Sequence, residues 1–303
     1  MQPLLDQLPG SARVAVIRLR SLGDCVLTTP ALAILKRARP DLRVGVVAEE
    51  RFAAVFEGNP DVDEILPPNP ARLAAWAPAL CLNLHGGTRS MLLLAASAAR
   101  WRAGFSHFRG RALYNVPIPT AQEILGVARK VHTAEHLASA MFYLGAPRGE
   151  IPAARLFAAP APRRAPYAVL HPMASAPQKA WPADRFLELA AHLERGMGLE
   201  PVFIAGPGED TAPFARYRVL AGARLAEVKS LLAGASLFAG NDSGPAHMAA
   251  AFQVPAAVFF GPSDPEIWAP WKAPAEVFVS PPGLDRIEVE AVIAALERLR
   301  VAA

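Results

Sequence analysis

RVAVIRLRSLGDCVLTTPALAILKRA, residues 13–38, decides the fold. Arg13 to Arg18 is a short apolar run, LRSLGD at 19–24 supplies a turn, and TTPALAILKRA at 28–38 repeats Leu32 and Leu35 with alanines at helical spacing before Pro40. This reads as strand, turn, helix. The same succession continues outward with VGVVA at 44–48, a short helix around Phe52 to Phe56, EIL at 64–66, ALCLNL at 79–84 and a helix through Met91 to Ala99. It restarts with YAVLH at 167–171, a helix from Asp184, PVFIA at 201–205, a helix near Leu225, SLFAG at 236–240, a helix after Asp242 and PAAVFF at 255–260. Strands that alternate with helices imply parallel sheets, so the expected class is α/β. Between the halves, IPAARLFAAPAPRRAP at 151–166 carries Pro152, Pro160, Pro162 and Pro166, cannot sustain a helix and is the expected linker. At the C-terminal end, Asp285 with Glu288 three residues on is an N-capping pattern, and Val289, Val292, Ile293, Leu296 and Leu299 share one helical face.

The 303 residues are 52% apolar and 19% charged, a globular composition that excludes a disordered or fibrous chain. That length favours two cores over one. No apolar run approaches the ~18 residues of a membrane span. The N-terminus, MQPLLDQLPG, holds Asp6 and no cationic stretch before an apolar run, so it does not read as a secretory signal and a cytoplasmic location is expected. Cys25 and Cys81 lie in apolar surroundings without ligand spacing and are expected to be buried thiols. Net charge is +4, and residues 1–150 hold 17 of the 31 Lys/Arg against 12 of the 27 Asp/Glu, so the basic excess belongs to the first half. It concentrates in Arg89, Arg100, Arg102, Arg109 and Arg111, with no acidic residue among them, as a face for an anionic partner or a solvated helix end would have.

Familiar nucleotide motifs are absent. The turn Leu19 to Asp24 is neither GxGxxG nor GK[ST], and GNDSG at 240–244 is not GxSxG because Asn241 replaces the first glycine, so NAD enzymes, P-loop NTPases and serine hydrolases are disfavoured. Asp61-Val62-Asp63 has the form of a metal-holding DxD but sits in Asn59-Pro60-Asp61, which is turn chemistry.

Three segments keep unusual polar residues at expected strand ends: Ser21 to Asp24, His171 to Trp181 and Gly240 to His247. IRLRSLGDCVLTTPAL at 17–32 resembles the N-terminal motif of glycosyltransferase family 9, the ADP-heptose:lipopolysaccharide heptosyltransferases, and GNDSGPAHMAAAFQVPAAVFFGPSDP at 240–265 resembles its nucleotide-binding motif. The resemblance runs on through FEGNPDVDEIL at 56–66, HTAEHLASAMFYLG at 132–145 and HPMASAPQKAWPADRF at 171–186, in the right order along nearly the whole chain.

The resemblance implies a GT-B architecture, two Rossmann-like domains with parallel sheets facing a central cleft. Residues 1–155 would bind the acceptor and 156–285 the nucleotide sugar, with the C-terminal helix, 286–303, often crossing back to the first domain. It implies an inverting transfer of heptose, or a similar sugar, from an ADP-sugar to the anionic inner core of lipopolysaccharide, with no metal or other cofactor and no nucleic-acid partner. The work would be done in the cytoplasm or peripherally at the cytoplasmic face of the inner membrane. Asp24 matches the family's base, and chemistry supplies a reason, because inversion needs a group opposite the leaving nucleotide to take the acceptor proton. By residue type alone, Asp24 serves equally well as a helix N-cap. Lys179, in the lysine-x-Trp-Pro pattern, would meet the diphosphate. Asp242, Ser243, Gly244 and His247 match the nucleotide-sugar motif, where a hydroxyl, close-approaching backbone and helix amides suit a phosphate. Asp242 also reads as a cap and His247 as a core histidine. Ser175 and Glu209 are further nucleotide-sugar candidates, the latter for ribose hydroxyls. Ser21, Gly23, His85, Arg109 and Arg111 are candidates for the acceptor. A non-catalytic nucleotide-sugar-binding protein and a GT-B-fold epimerase are the alternatives.

Overall fold

The computed structural model describes residues 2–302 apart from Arg109, Arg164 and Ser175, with the backbone alone at Ala302. It divides into two compact units, Met1–Arg155 and Leu156–Ala303. The first holds β1 (Arg13–Ile17), β2 (Arg43–Val47), β3 (Glu64–Leu66), β4 (Leu80–Asn83), β5 (Trp101–Phe105) and β6 (Val116–Ile118), all parallel, in the order 3-2-1-4-5-6. The second holds β7 (Tyr167–His171), β8 (Glu200–Ala205), β9 (Arg218–Ala221), β10 (Leu237–Asn241), β11 (Ala256–Phe260) and β12 (Ala275–Val279), also all parallel, in the order 12-11-10-7-8-9. Counted from its own first strand, the second sheet repeats the order of the first, and each is the doubly wound order of a mononucleotide-binding sheet.

Seven helices of eight or more residues appear among the described residues: α1 (Leu22–Ala38), α2 (Thr88–Ala96), α3 (Thr133–Leu144), α4 (Ala183–Arg195), α5 (Leu225–Ala233), α6 (Gly244–Ala251) and α7 (Val289–Ala302). Parallel strands covered on both faces are apolar along their whole length, which is why Val14, Ala15, Val16 and Ile17 are all fully buried. In the second unit Trp181, Phe186 and Phe259 meet with ring centroids 4.4 to 5.7 Å apart. Val289, Val292 and Leu296 of α7 join that same core, and α7 packs on α4 and β11 of its own unit.

Several boundaries differ from the sequence reading, each for a physical reason. β5, β6, β9 and β12 give weak local signals: WRAGF contains Arg and Gly, VPI contains Pro117 at a sheet edge, and RVLA and AEVFV are partly exposed edges. The last helix begins at Val289 rather than Asp285, because Leu284–Arg286 form a separate 3-10 turn. The second helix starts at Thr88, before Met91, with Gly87 as its N-cap. Both thiols are free and buried, and burial pushes each up to about 12. Asp61 and Asp63 are occupied locally: Asn59 Oδ1 accepts from Asp61 N at 2.9 Å, and the Asp63 carboxylate lies 2.7 Å from Lys36 Nζ.

Candidate functional site

An open α/β sheet binds ligands beyond the strand carboxyl ends where the strand order reverses. In the first unit that point lies between β1 and β4, and in the second between β7 and β10. The polar segments singled out in the sequence follow these four strands.

After β1, α1 opens with Ser21 as N-cap and Asp24 at its third position, not at the cap itself. Asp24 Oδ2 accepts from Ser21 Oγ at 3.1 Å and from Ser21 N at 3.4 Å, the reciprocal half of a capping box. Asp24 Oδ1 stands 3.6 Å from a guanidinium nitrogen of Arg18. Arg18, only 5% exposed, also donates to the Leu84 carbonyl. Burial works against its charge, and Asp24 is the first group to offset that cost. Beyond β4, Asn83 Oδ1 accepts from the backbone N of His85 at 3.0 Å and of Gly86 at 3.1 Å, which shapes the turn. Gly86 has φ +78, and a Cβ there would lie 2.7 Å from the Phe108 ring. His85 bonds the Arg20 main chain and feels the charges of Arg18 and Asp24; burial first, then Arg18, pushes its pKa down. Among the described residues, His85 Nδ1 and Arg18 Nε are buried without a hydrogen-bond partner. Such orphans cost roughly 1–3 kcal/mol each, so two of them beside one carboxylate mark a place shaped for something else. His136 of α3 stacks on Phe105 at 4.0 Å and also senses Arg18 and Asp24.

In the second unit Asn241 ends β10 and organises its surroundings. Its Oδ1 accepts from Trp181 N at 2.9 Å, and its Nδ2 donates to Pro172 O at 2.8 Å, which pins the loop that carries Lys179. Gly261 permits the close approach, because a Cβ there would meet Gln178 O at 2.7 Å. Lys179 ends the 3-10 turn Pro177–Lys179, and its charge reaches Asp242. Burial pushes the Asp242 carboxyl up, while a Ser263 hydrogen bond and the Lys179 charge draw it back. Ser243 is the N-cap residue of α6 and Gly244 its first residue, yet the Ser243 side chain caps no helix amide. Its Oγ lies 3.0 Å from His171 Nδ1 and donates to Asn241 O at 2.9 Å, so the Gly244 amide has no side-chain cap, while Pro245 has no N–H and Ala246 N donates to Ser243 O at 3.2 Å.

The structure therefore gathers Ser21, Gly23, Asp24 and His85 at one switch point, and Lys179, Asp242, Ser243 and Gly244 at the other. His247 lies one turn into α6 at 5% exposure, among core residues. Glu209 is exposed beyond β8, where its carboxylate accepts from Gly206 N at 2.5 Å and closes its own turn. Arg109 and Ser175 lie outside the described residues. The arginine stretch is spread out: Arg89 pairs with Glu49 at 3.1 Å, Arg102 donates to the carbonyls of Leu113 and Ala99, and Arg111 is exposed. Two residues escaped the sequence reading. Arg18 directly follows β1, whose Val14 to Ile17 are fully buried, and a charge in that position was the available signal; His171, partner of Ser243, opened a polar segment at an expected strand end but was given no role of its own. Among the described residues, no three or more His, Cys, Asp or Glu gather as a metal-ligand set.

Burial pushes His171 and His136 down to about 4, with His107 adding to the effect at His136. Both are neutral in the folded protein, whereas the unfolded chain protonates near ~6.5. As pH falls from ~6.5 to about 4, only the unfolded chain takes up these protons, so stability is lost across that window and is complete above it. The imidazole carbon-proton resonances of His171 and His136 should titrate near pH 4, in step with a falling Tm. Midpoints near ~6.5 would contradict the burial.

Comparison with known proteins bears on the family and the fold. The family model of glycosyltransferase family 9 (heptosyltransferase) matches residues 73–287, more than half of the chain. Lipopolysaccharide heptosyltransferase 1 of Salmonella typhimurium is 26% identical over 284 residues, spanning 84% of this chain and 89% of that protein. A glycosyl transferase family 9 structure from Veillonella parvula superimposes with a TM-score of 0.86 at 24% identity, covering 97% of this chain and 98% of that one. An E. coli heptosyltransferase solved with ADP superimposes with a TM-score of 0.77 at 23% identity, covering 95% and 100%. With both sheets in the doubly wound order and polar clusters at both switch points, the chain belongs to glycosyltransferase family 9, the heptosyltransferases.

Proposed function

We propose that the protein is an inverting, metal-independent heptosyltransferase that moves heptose from ADP-heptose to the inner core of lipopolysaccharide. The observation that carries this reading is the Asp24 carboxylate set 3.6 Å from the buried Arg18 and electrostatically coupled to His85, whose Nδ1 is an unused acceptor. An acceptor sugar hydroxyl attacks the anomeric carbon and gives its proton to Asp24, while the bond from that carbon to the diphosphate breaks. His85, beside Asp24, is the neighbouring side chain placed to orient the acceptor sugar. Proton transfer to Asp24 discharges its pairing with Arg18, and a late transfer, as the sugar becomes cation-like, relieves that demand. The charge that grows on the departing diphosphate is met by Lys179 and by the Gly244 amide and positive end of α6. Support for the donor comes from the structural neighbour solved with ADP, and support for the acceptor from the lipopolysaccharide heptosyltransferase that is 26% identical to this chain.

The donor assignment predicts selective stabilisation. In buffer containing EDTA, ADP at about 100 times its dissociation constant should add ~2.7 kcal/mol, while UDP and GDP at the same concentration add much less. Differential scanning fluorimetry checks this. Equal stabilisation by UDP or GDP, or stabilisation by ADP only when magnesium is restored, would contradict it.

A further inference from the structure

A serine at the N-cap of a helix ordinarily accepts a hydrogen bond from the second or third helical amide, and Ser243 does not. Its backbone is extended, with φ −165 and ψ 172, as an N-cap residue requires, so the side-chain rotamer rather than the path of the chain withholds the cap. Two bonds hold that rotamer. The Ser243 hydroxyl donates to Asn241 O at 2.9 Å and lies 3.0 Å from His171 Nδ1. A hydroxyl has a single proton, already given to Asn241 O, so His171 carries its own proton on Nδ1 and donates it to Ser243 Oγ. Burial keeps the ring neutral, with its pKa pushed down to about 4.

The sheet brings His171 this close. His171 is the partner of Gly240 in the β7 and β10 ladder, and a Cβ at Gly240 would lie only 3.0 Å from the His171 Cβ and from its carbonyl oxygen. Glycine there preserves the spacing of the two strand ends. The consequence falls on α6, whose Gly244 amide has no side-chain cap and whose Pro245 has no N–H. Ala246 N, the third amide, donates to Ser243 O at 3.2 Å and is the one a released Ser243 hydroxyl would reach as a cap. Such a cap would close over the helix end that the proposed donor needs.

We infer that His171 is a positioning residue of the donor site: by holding the Ser243 hydroxyl on Asn241, it keeps the N-terminus of α6 uncapped for a nucleoside diphosphate. This rests on the proposed reading of the second unit as the donor site. His171 itself touches no reacting atom. A Ser243 released from the imidazole gains a cap, which stabilises the helix and competes with phosphate oxygens, so stability and nucleotide affinity move in opposite directions. A histidine that only packs at the end of β7 would lower both together.

The test is a double-mutant cycle read by calorimetry with ADP as the probe. His171→Leu should weaken ADP binding roughly fivefold, the worth of one serine cap, with a Tm no lower than that of the wild type. His171→Asn, whose amide nitrogen can replace Nδ1 as donor, should restore affinity to within about twofold of the wild type. In a Ser243→Ala background His171→Leu should cause no further loss, because no hydroxyl remains to close the helix end. Long-range nitrogen-proton NMR of the wild type without nucleotide should find the His171 proton on Nδ1, a measurement that needs no variant. Unchanged ADP affinity in His171→Leu, a loss that persists in the Ser243→Ala background, a Tm that falls with the affinity, or a proton on Nε2 would each overturn the proposal and leave the donor reading standing. A wild type that binds no ADP would overturn the donor reading and this proposal with it.

Discussion

Asp24→Asn should lower single-turnover heptosyl transfer about 10²- to 10⁴-fold while leaving ADP affinity nearly unchanged. The structure sharpens what this substitution separates. Asp24 occupies the third helical position and supports Ser21 through Oδ2, and an asparagine oxygen can still accept that N–H. Charge is what disappears, both as a proton acceptor and as the counter-ion of Arg18. A purely structural Asp24 therefore predicts a lower Tm, because Arg18 loses its compensating carboxylate, with a near-normal rate for each folded molecule. A catalytic Asp24 predicts the same Tm loss together with a collapse of the chemical step. Nucleotide affinity is the internal control, since the nucleotide candidates follow β7, β8 and β10 or lie on α6, all in the second unit. Retention of more than about a tenth of the wild-type rate would remove Asp24 as the base.

Lys179→Ala should slow turnover by roughly 10²- to 10³-fold, the typical loss for one preorganised group that stabilises developing charge, and should weaken ADP binding as well. Lys179 is placed by contacts that do not involve its ammonium: the Asn241 bond to Trp181 N and the tight packing of Gln178 on Gly261. Removing the side chain should therefore leave the loop and the Tm nearly intact. Its charge also favours ionised Asp242, so the alanine variant should shift the Asp242 carboxyl further up. Lys179→Arg should restore only part of the rate, because a planar fork replaces a compact ammonium. Unchanged kinetics and ADP affinity in the alanine variant would take Lys179 out of the site.

Much of this was legible in the chain, and the exceptions share a cause. RVAVI and YAVLH announce central parallel strands because they are buried on both faces, and the punctuation by LRSLGD and GNDSG locates the strand ends where function gathers. The edge strands β6, β9 and β12 were silent because partly exposed, short segments need no sustained apolar pattern. Asn241 looked like a departure from a glycine motif, yet it is the hub that positions the Lys179 loop from 60 residues away. Local spacing cannot reveal such a bond. Arg18 looked like the ragged end of a strand and proved to be a buried cation against Asp24. The arginine run from Arg89 to Arg111 suggested either a face for an anionic partner or a solvated helix end, but folding sends Arg89 to Glu49 and Arg102 to nearby carbonyls.

The central claim is chemical, and one measurement addresses it directly: incubation of the purified protein with ADP-heptose and a deacylated lipopolysaccharide inner-core acceptor in excess EDTA, followed by NMR of the new glycosidic linkage. Lys179 and the N-terminus of α6 in place of a metal, with Asp24 as base, predict full transfer under chelation and a linkage of inverted anomeric configuration. Turnover that vanishes with EDTA and returns with magnesium or manganese, or a product of retained configuration, would contradict the account.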